Sequence, residues 1–226
     1  MQLTYFGHSC FLVNVKGKSI LFDPFIRYNE LAKDLDINAI EVDYIFISHG
    51  HQDHIADAIE IAKRTQCKVV AAFEVTDWLN KNGIENTHPM NTGGKWSFDF
   101  GVVKCTVAQH SSGLPDGSYG GNPLGFIFMT EEGNFYYSGD TALTLDMQLV
   151  PTWATLQFAV LPIGDNFTMD VADAIRASDF VQCNKIVGVH YDTFGYIKID
   201  KTSAIESFTK AGKQLFLPAI GESIHL

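Results

Sequence analysis

The sequence predicts an α/β protein with β-sheets inside and helices outside, and three observations carry that expectation. Short β-rich runs recur along the whole chain, segments with helical spacing lie between them, and hairpin-linked strands precede helices in both halves. The 226 residues contain no low-complexity segment, long charge run or Ser/Pro-rich linker, so a single domain over 1–226 is expected. Its two similar β-then-α units would meet at about residue 115. Internal sequence similarity is too weak to prove a duplication.

In order, "MQLTYFG" opens the chain as a strand, and "CFLVNVKGKSILFDPF" reads as a hairpin turning at Gly17. "VDYIFIS" follows, then a helix over "HIADAIEIAKR", which places Ile55, Ala58, Ile59 and Ala62 on one face. "CKVVAAF" is a strand, and "VTDWLNKNG" a helix that stops at Gly83. The second half repeats the scheme. "VVKCTVAQ" is a strand, "LGFIFMT" and "NFYYSG" make a hairpin at Gly133, and "FAVLPI" precedes the helix "DVADAIRASDFVQC". "KIVGVH" is a strand, "TSAIESFTKAG" a helix ending at Gly212, and "QLFLPAI" a last strand.

Composition narrows the class. With 46% hydrophobic residues the chain can bury a sizeable core, and the net charge of -10 disfavours binding to a phosphate backbone. No run approaches the roughly 18 to 20 apolar residues that span a bilayer, and the start lacks a basic segment followed by an apolar signal core. Cys10, Cys67, Cys105 and Cys183 stand far apart and read as reduced and packed. A cytoplasmic protein with no nucleic-acid or membrane partner is expected; the sequence does not specify an oligomeric state.

The chemistry-bearing stretch is "ISHGHQDHIADAIE", residues 47–60. His49, His51, Asp53 and His54 fall within six positions, a pattern that this composition gives by chance about once in 1000 such sequences. Alternate residues of an extended segment can turn both imidazoles of H-x-H toward one ion, while Asp53 and His54 begin the helix. The plain alternative is a solvated histidine-rich turn. Three further strands end in a potential ligand: "VVKCTVAQH" in His110, "NFYYSGD" in Asp140 and "KIVGVH" in His190. Ligand sites gather where strands end, so four such endings can share one rim. Five histidines and two aspartates exceed the four ligands of one tetrahedral ion and suit two divalent ions. A histidine-rich set without thiolate fits zinc, with manganese, iron and nickel as alternatives.

"SHGHQDH" with His110, Asp140 and His190 resembles the metallo-β-lactamase superfamily. Within it, "YFGHSCFLV", "ILFDPF", "LPIGDNFTM" and "HYDTF" resemble the small metal-dependent hydrolases related to ascorbate-phosphate lactonase. The likeness runs from Tyr5 to about Glu222. It implies a four-layer αββα sandwich with the site on one edge between the sheets. It also implies that His49, His51 and His110 hold one metal, that Asp53, His54 and His190 hold the other, and that Asp140 bridges them. Asp23 would be the acidic residue that orients the histidine turn; its simpler reading is a turn aspartate before Pro24. Redox di-iron members carry glutamate at the place of His51, so His51 favours hydrolysis.

Other residues are weaker candidates. His8 is either a satisfied core histidine or a group beside the site. His88 and His225 read as surface, Cys10 and Cys105 as core, and the 17 phenylalanines as packing. The loop "SSGLPDGSYGGNPLG" could admit a small molecule, and "GDNFTMD" could present Asn166 and Thr168 as donors; both are otherwise tight connections. Tyr191 or Asp192 could shape the pocket or fix His190, and Arg27 and Lys198 are possible phosphate binders.

The expected activity is hydrolysis of a small-molecule lactone, ester or phosphodiester by hydroxide bridging two metals, with Asp53 orienting it. The rivals are a superfamily nuclease acting on nucleic acid and a non-catalytic metal-binding scaffold or sensor.

Overall fold

A computed structural model describes residues 1–226. The first half contributes strands β1 (Gln2–Gly7), β2 (Cys10–Val15), β3 (Lys18–Phe22), β4 (Tyr44–Phe46), β5 (Lys68–Ala72) and β6 (Thr87–Met90). Helices α1 (Gln52–Ile55), α2 (Ala58–Thr65) and α3 (Phe73–Lys81) interrupt them. The second half contributes β7 (Lys95–Phe98), β8 (Gly101–Val107), β9 (Leu124–Thr130), β10 (Gly133–Tyr137), β11 (Phe158–Pro162), β12 (Lys185–Val189) and β13 (Gln214–Phe216). Its helices are α4 (Val150–Trp153), α5 (Val171–Phe180) and α6 (Lys201–Lys210), and β14 (Ser223–His225) closes the chain.

Two seven-stranded sheets result, in the orders β14-β1-β2-β3-β4-β5-β6 and β13-β12-β11-β10-β9-β8-β7. Each has the same plan. In the first, β14 to β3 pair antiparallel and β3 to β6 parallel; in the second, β7 to β10 pair antiparallel and β10 to β13 parallel. Both sheets thus run from antiparallel to parallel pairing, with the change at β3 and at β10. The chain crosses between sheets at residues 91–94, ahead of the boundary expected near 115, and β14 returns to the first sheet.

Phenylalanines fill the space between the sheets. Phe22 of β3 meets Phe128 of β9 edge-on at 5.3 Å, and Phe46 of β4 meets Phe126 and Phe128 at 5.4 and 4.9 Å. Fully burying one such ring contributes about 1.5–3 kcal/mol relative to exposure, so this layer is the main cohesion between the sheets. All four cysteines are free and buried. No helix is long and apolar enough to cross a membrane.

The single helix expected over 54–64 is broken. Asp57 accepts the backbone N–H groups of Ile26 and Arg27, so its carboxylate ties the segment after β3 to the gap between α1 and α2. The break leaves α1 as one short turn whose only task is to present Asp53 and His54. Strands β6, β7 and β14 were not expected: they are edge strands of three or four residues, and β6 contains Pro89.

Candidate metal centre

The site lies where strands end. His49 and His51 follow β4, His110 follows β8, Asp140 follows β10 and His190 follows β12. Close approach of these ends demands glycine: a Cβ on Gly139 would lie 2.5 Å from the Leu124 carbonyl and 2.9 Å from Ser48. His8, Asp23 and His190 all adopt left-handed backbone, with φ of 54°, 41° and 56°. Such conformations are costly for residues other than glycine and persist where the surroundings fix them. Here a backbone hydrogen bond from His190 N–H to the His8 carbonyl (2.9 Å) joins β1's end to β12's end.

Two clusters form. His49, His51 and His110 each offer a nitrogen within 4.8 Å of the others; His8, His54 and His190 do the same together with a carboxylate oxygen of Asp53. Asp140 stands between them: its Oδ2 is 2.9 Å from His190 Nε2, 3.1 Å from His54 Nε2 and 3.8 Å from His110 Nε2. His8 Nε2 lies 2.9 Å from Asp53 Oδ2, and its Nδ1 lies 3.0 Å from Thr193 Oγ1. The side chain of His8 is wholly buried, so it touches Asp53 rather than solvent.

Asp23 underlies both clusters. Its carboxylate accepts the Ser48 N–H (2.7 Å), the Ser48 hydroxyl (2.6 Å), His54 Nδ1–H (2.7 Å) and the Tyr137 hydroxyl (2.5 Å). Ser48 Oγ in turn sits 2.9 Å from His49 Nδ1. One carboxylate thus fixes a ring in each cluster and leaves each Nε2 free to face the centre. Ser48 and Tyr137 carry no sequence signal for this role, since neither is near Asp23 in the chain.

Electrostatics separates the clusters. Burial depresses His49, His51 and His110, which keeps the rings neutral, each with one nitrogen lone pair available. Burial alone would lower His54 too, but Asp140, Asp23 and Asp53 overcome it and raise its pKa well above the ordinary histidine range. Burial alone would raise Asp140, yet His190 and His54 hold it well below the usual carboxylate range. Asp53 is held low in the same way, by His54 and His8.

The donor set fits divalent metal. Asp140 Oδ1 is buried with no hydrogen-bond partner, and His54 Nε2, 3.1 Å from Asp140 Oδ2, makes no well-aligned hydrogen bond. Leaving two such groups unsatisfied is expensive, and a cation between them would satisfy both.

Several expected contacts are absent. Asn166 is exposed, with its N–H turned onto the Asp165 carboxylate, and neither it nor Thr168 lines the site. Consecutive left-handed residues at 165 and 166 turn the loop so that Phe167 faces the centre instead. Tyr191 is buried in a stack on Tyr5 (6.2 Å), and Asp192 pairs with Lys201 (3.0 Å), so both anchor the loop after His190. Arg27 is engaged by Glu60, and Lys198 lines a separate cavity between α5 and α6. His88 rests on Trp96 (4.9 Å) in the edge strand β6, and His225 is exposed on β14. From the loop after His110, Ser111 lines the site cavity, with Oγ 3.2 Å from His51 Nε2.

A family model described as "Beta-lactamase superfamily domain" matches residues 18–191. A UPF0173 metal-dependent hydrolase of Flavobacterium johnsoniae is 53% identical over 226 residues, covering 100% of both chains. The chain belongs to the metallo-β-lactamase superfamily. A second UPF0173 metal-dependent hydrolase, from Methylacidiphilum infernorum, is 48% identical over the full length of both. Among solved structures, the metallo hydrolase Igni18 of the archaeon Ignicoccus hospitalis is 33% identical with a TM-score of 0.89, covering 99% of this chain and 97% of that one. The paired sheets flanked by helices are the metallo-β-lactamase fold, and the chain is a member of its metal-dependent hydrolases.

Proposed function

We propose that this chain is a dinuclear metal-dependent hydrolase of a small-molecule lactone, ester or phosphodiester. The observation that carries the proposal is the meeting of two candidate ligand clusters at Asp140, whose buried Oδ1 has no protein partner. His49, His51 and His110 would hold one ion, and Asp53, His54 and His190 the other, with Asp140 shared. The nitrogen-and-carboxylate donor set suits zinc, with manganese, iron or nickel as alternatives. Bound divalent ions supply Lewis acidity and a water of lowered pKa.

The chain's own residues do the rest. His8 Nε2 holds Asp53 by its Oδ2, the oxygen that faces His54 and His190 at 3.8 and 3.9 Å, and so fixes that carboxylate at the centre. Asp23 and Ser48 lock the imidazoles of His54 and His49, so no reorganisation is needed when substrate arrives. Phe167 and Phe194 flank the cavity of about 280 Å³ that holds His51, His110, Asp140 and His190. They shield the reacting bond from bulk water. The nuclease alternative gains no support, because neither cavity at the centre is lined by a lysine or arginine that would grip a phosphate chain.

Elemental analysis of the purified protein, with turnover on lactone, aryl ester and bis-aryl phosphodiester panels, tests the proposal. Two equivalents of metal per chain and hydrolysis are expected, and His49→Ala should lose both activity and metal. Full activity of His49→Ala would sink the mechanism, and a metal-replete protein inert on the whole panel would favour the scaffold reading.

A further inference from the structure

A second, larger hollow opens off the metal centre. It is a broad, open depression of about 870 Å³ lined by Phe25, Tyr28, Phe167, Phe194 and Tyr196, together with Gln52 and Thr193. It shares Asp53, Phe167 and Phe194 with the ligand-lined cavity, so the two adjoin. Three separate segments build the wall: the stretch after β3, the loop before α5 and the loop after β12. Phe167 and Tyr196 meet edge-on at 6.2 Å, and Phe194 lies 6.3 Å from Phe25.

These rings are costly where they stand. Tyr28 is 63% exposed, Phe167 51% and Tyr196 78%, although each is large enough to belong in a core. A group of exposed rings converging on a ligand-lined cavity marks a binding surface rather than incidental exposure. Its chemistry is selective. The only charged side chain lining the hollow is Asp53, itself a candidate metal ligand, and no lysine or arginine reaches it. Arg27, beside Tyr28 in the chain, is committed to Glu60.

We infer that the hollow is the substrate-side subsite, and that the substrate is an uncharged ester or lactone carrying an aryl or medium-length alkyl group. The inference rests on the hydrolase reading above and narrows it. Water adds across the acyl C–O bond: the acyl carbon gains the hydroxyl, the alkoxy oxygen leaves with the proton, and no redox partner is needed. The apolar group rests among the rings while the scissile carbonyl sits in the ligand-lined cavity. A phosphate carried away from the scissile bond meets no lysine or arginine in either space.

Two measurements test this. The first is kcat/KM on neutral esters whose apolar group grows stepwise on the acyl side or on the alcohol side, with a phosphorylated ester for contrast. Each added methylene should raise kcat/KM about two- to fourfold on at least one side until the hollow is filled. Phe194→Ala and Tyr196→Ala should flatten that rise, while Leu145→Ala, an exposed apolar residue outside both cavities, should not. The second is fluorescence anisotropy of 2-acetamidonaphthalene, an amide analogue of a naphthyl ester, with metal-free protein; binding should weaken at least tenfold in Tyr196→Ala. A flat series on both sides with turnover intact, or preference for the phosphorylated ester, overturns the inference. So does concentration-dependent self-association that Tyr196→Ala abolishes, with no probe bound. Probe binding without hydrolysis of any ester keeps the apolar subsite and overturns the hydrolase reading instead.

Discussion

The two ligand clusters sit side by side yet solve different physical problems. His49, His51 and His110 are three imidazoles with no carboxylate among them, and His51 and His110 are partly open to the cavity. The other cluster is buried more deeply and carries charge: Asp53 is held low, His54 is held high, and Asp140 leans toward it, 2.9 Å from His190 against 3.8 Å from His110. A cation at the second cluster meets more negative charge in a drier place, where Coulombic attraction is stronger. Under the proposed dinuclear reading, the seven candidate ligands would therefore not make two equivalent sites. The first cluster should bind more weakly and exchange with solvent; the second should be the permanent one.

The largest test removes what the clusters share. Asp140→Ala should reduce bound metal at both clusters and take turnover to background, since the carboxylate pairs with His190 and His54 and reaches His110. Activity within tenfold of wild type would show that the clusters work independently. Splitting the pair sharpens the comparison. His51→Ala should drop metal from about two equivalents to about one, whereas His54→Ala should leave the more weakly bound ion and lose it to mild chelation. Equal retention by both variants under the same chelator would break the proposed asymmetry.

The same contrast explains what the sequence reveals. The first cluster is nearly local, since His49 and His51 lie within "SHGHQDH" and need only a strand that ends before them. Asp53 and His54 are equally visible, and His110, Asp140 and His190 stand out as polar ends of apolar strands. Of the support beneath them, Asp23 is visible only through the family resemblance, and Ser48 and Tyr137 are not visible at all. Asp23 meets Tyr137 only because β3 and β10 occupy equivalent places in facing sheets, 114 positions apart in the chain. A lone histidine such as His8 has no pattern in the sequence; its role depends on Asp53, 45 positions away. The aromatic wall is assembled from residues 25–28, 167 and 194–196, which no periodicity links. The fold was legible where strands are long and apolar, and illegible at β6, β7 and β14, where pairing with a neighbour outweighs local preference.

Asp23 offers a smaller and more discriminating perturbation, because it braces one ring in each cluster. Asp23→Asn keeps the shape but offers a weaker acceptor to His54 and Ser48. Metal affinity should fall by about 10- to 100-fold, the range seen when such supporting partners are lost. The loss should be larger at the second cluster, where the bond to His54 is direct, than at the first, where Ser48 intervenes. Titration with a competing chelator separates the two phases, and equal losses would mean that Asp23 acts only through overall packing.

The smallest effect is read in the metal-free protein as stability against pH, and the clusters should pull in opposite directions. Burial depresses His49, His51 and His110 and pushes His8 down to about 4. The unfolded chain therefore binds more protons than the folded one below the ordinary histidine value of about 6.5. Stability from these groups is complete above that value and is lost as pH falls, for His8 down to about 4. His54 is raised, so its contribution is complete below about 6.5 and is lost as pH climbs through its folded value. Each unit between folded and unfolded values is worth about 1.4 kcal/mol. Denaturant unfolding of chelated protein from pH 5 to 9 should thus give a maximum near neutrality. His49→Ala should flatten the acid limb and His54→Ala the alkaline limb, with the slope rather than the absolute stability carrying the result. If both variants flattened the same limb, the charge difference between the clusters would be wrong, and with it the reason for expecting one metal to be held harder than the other.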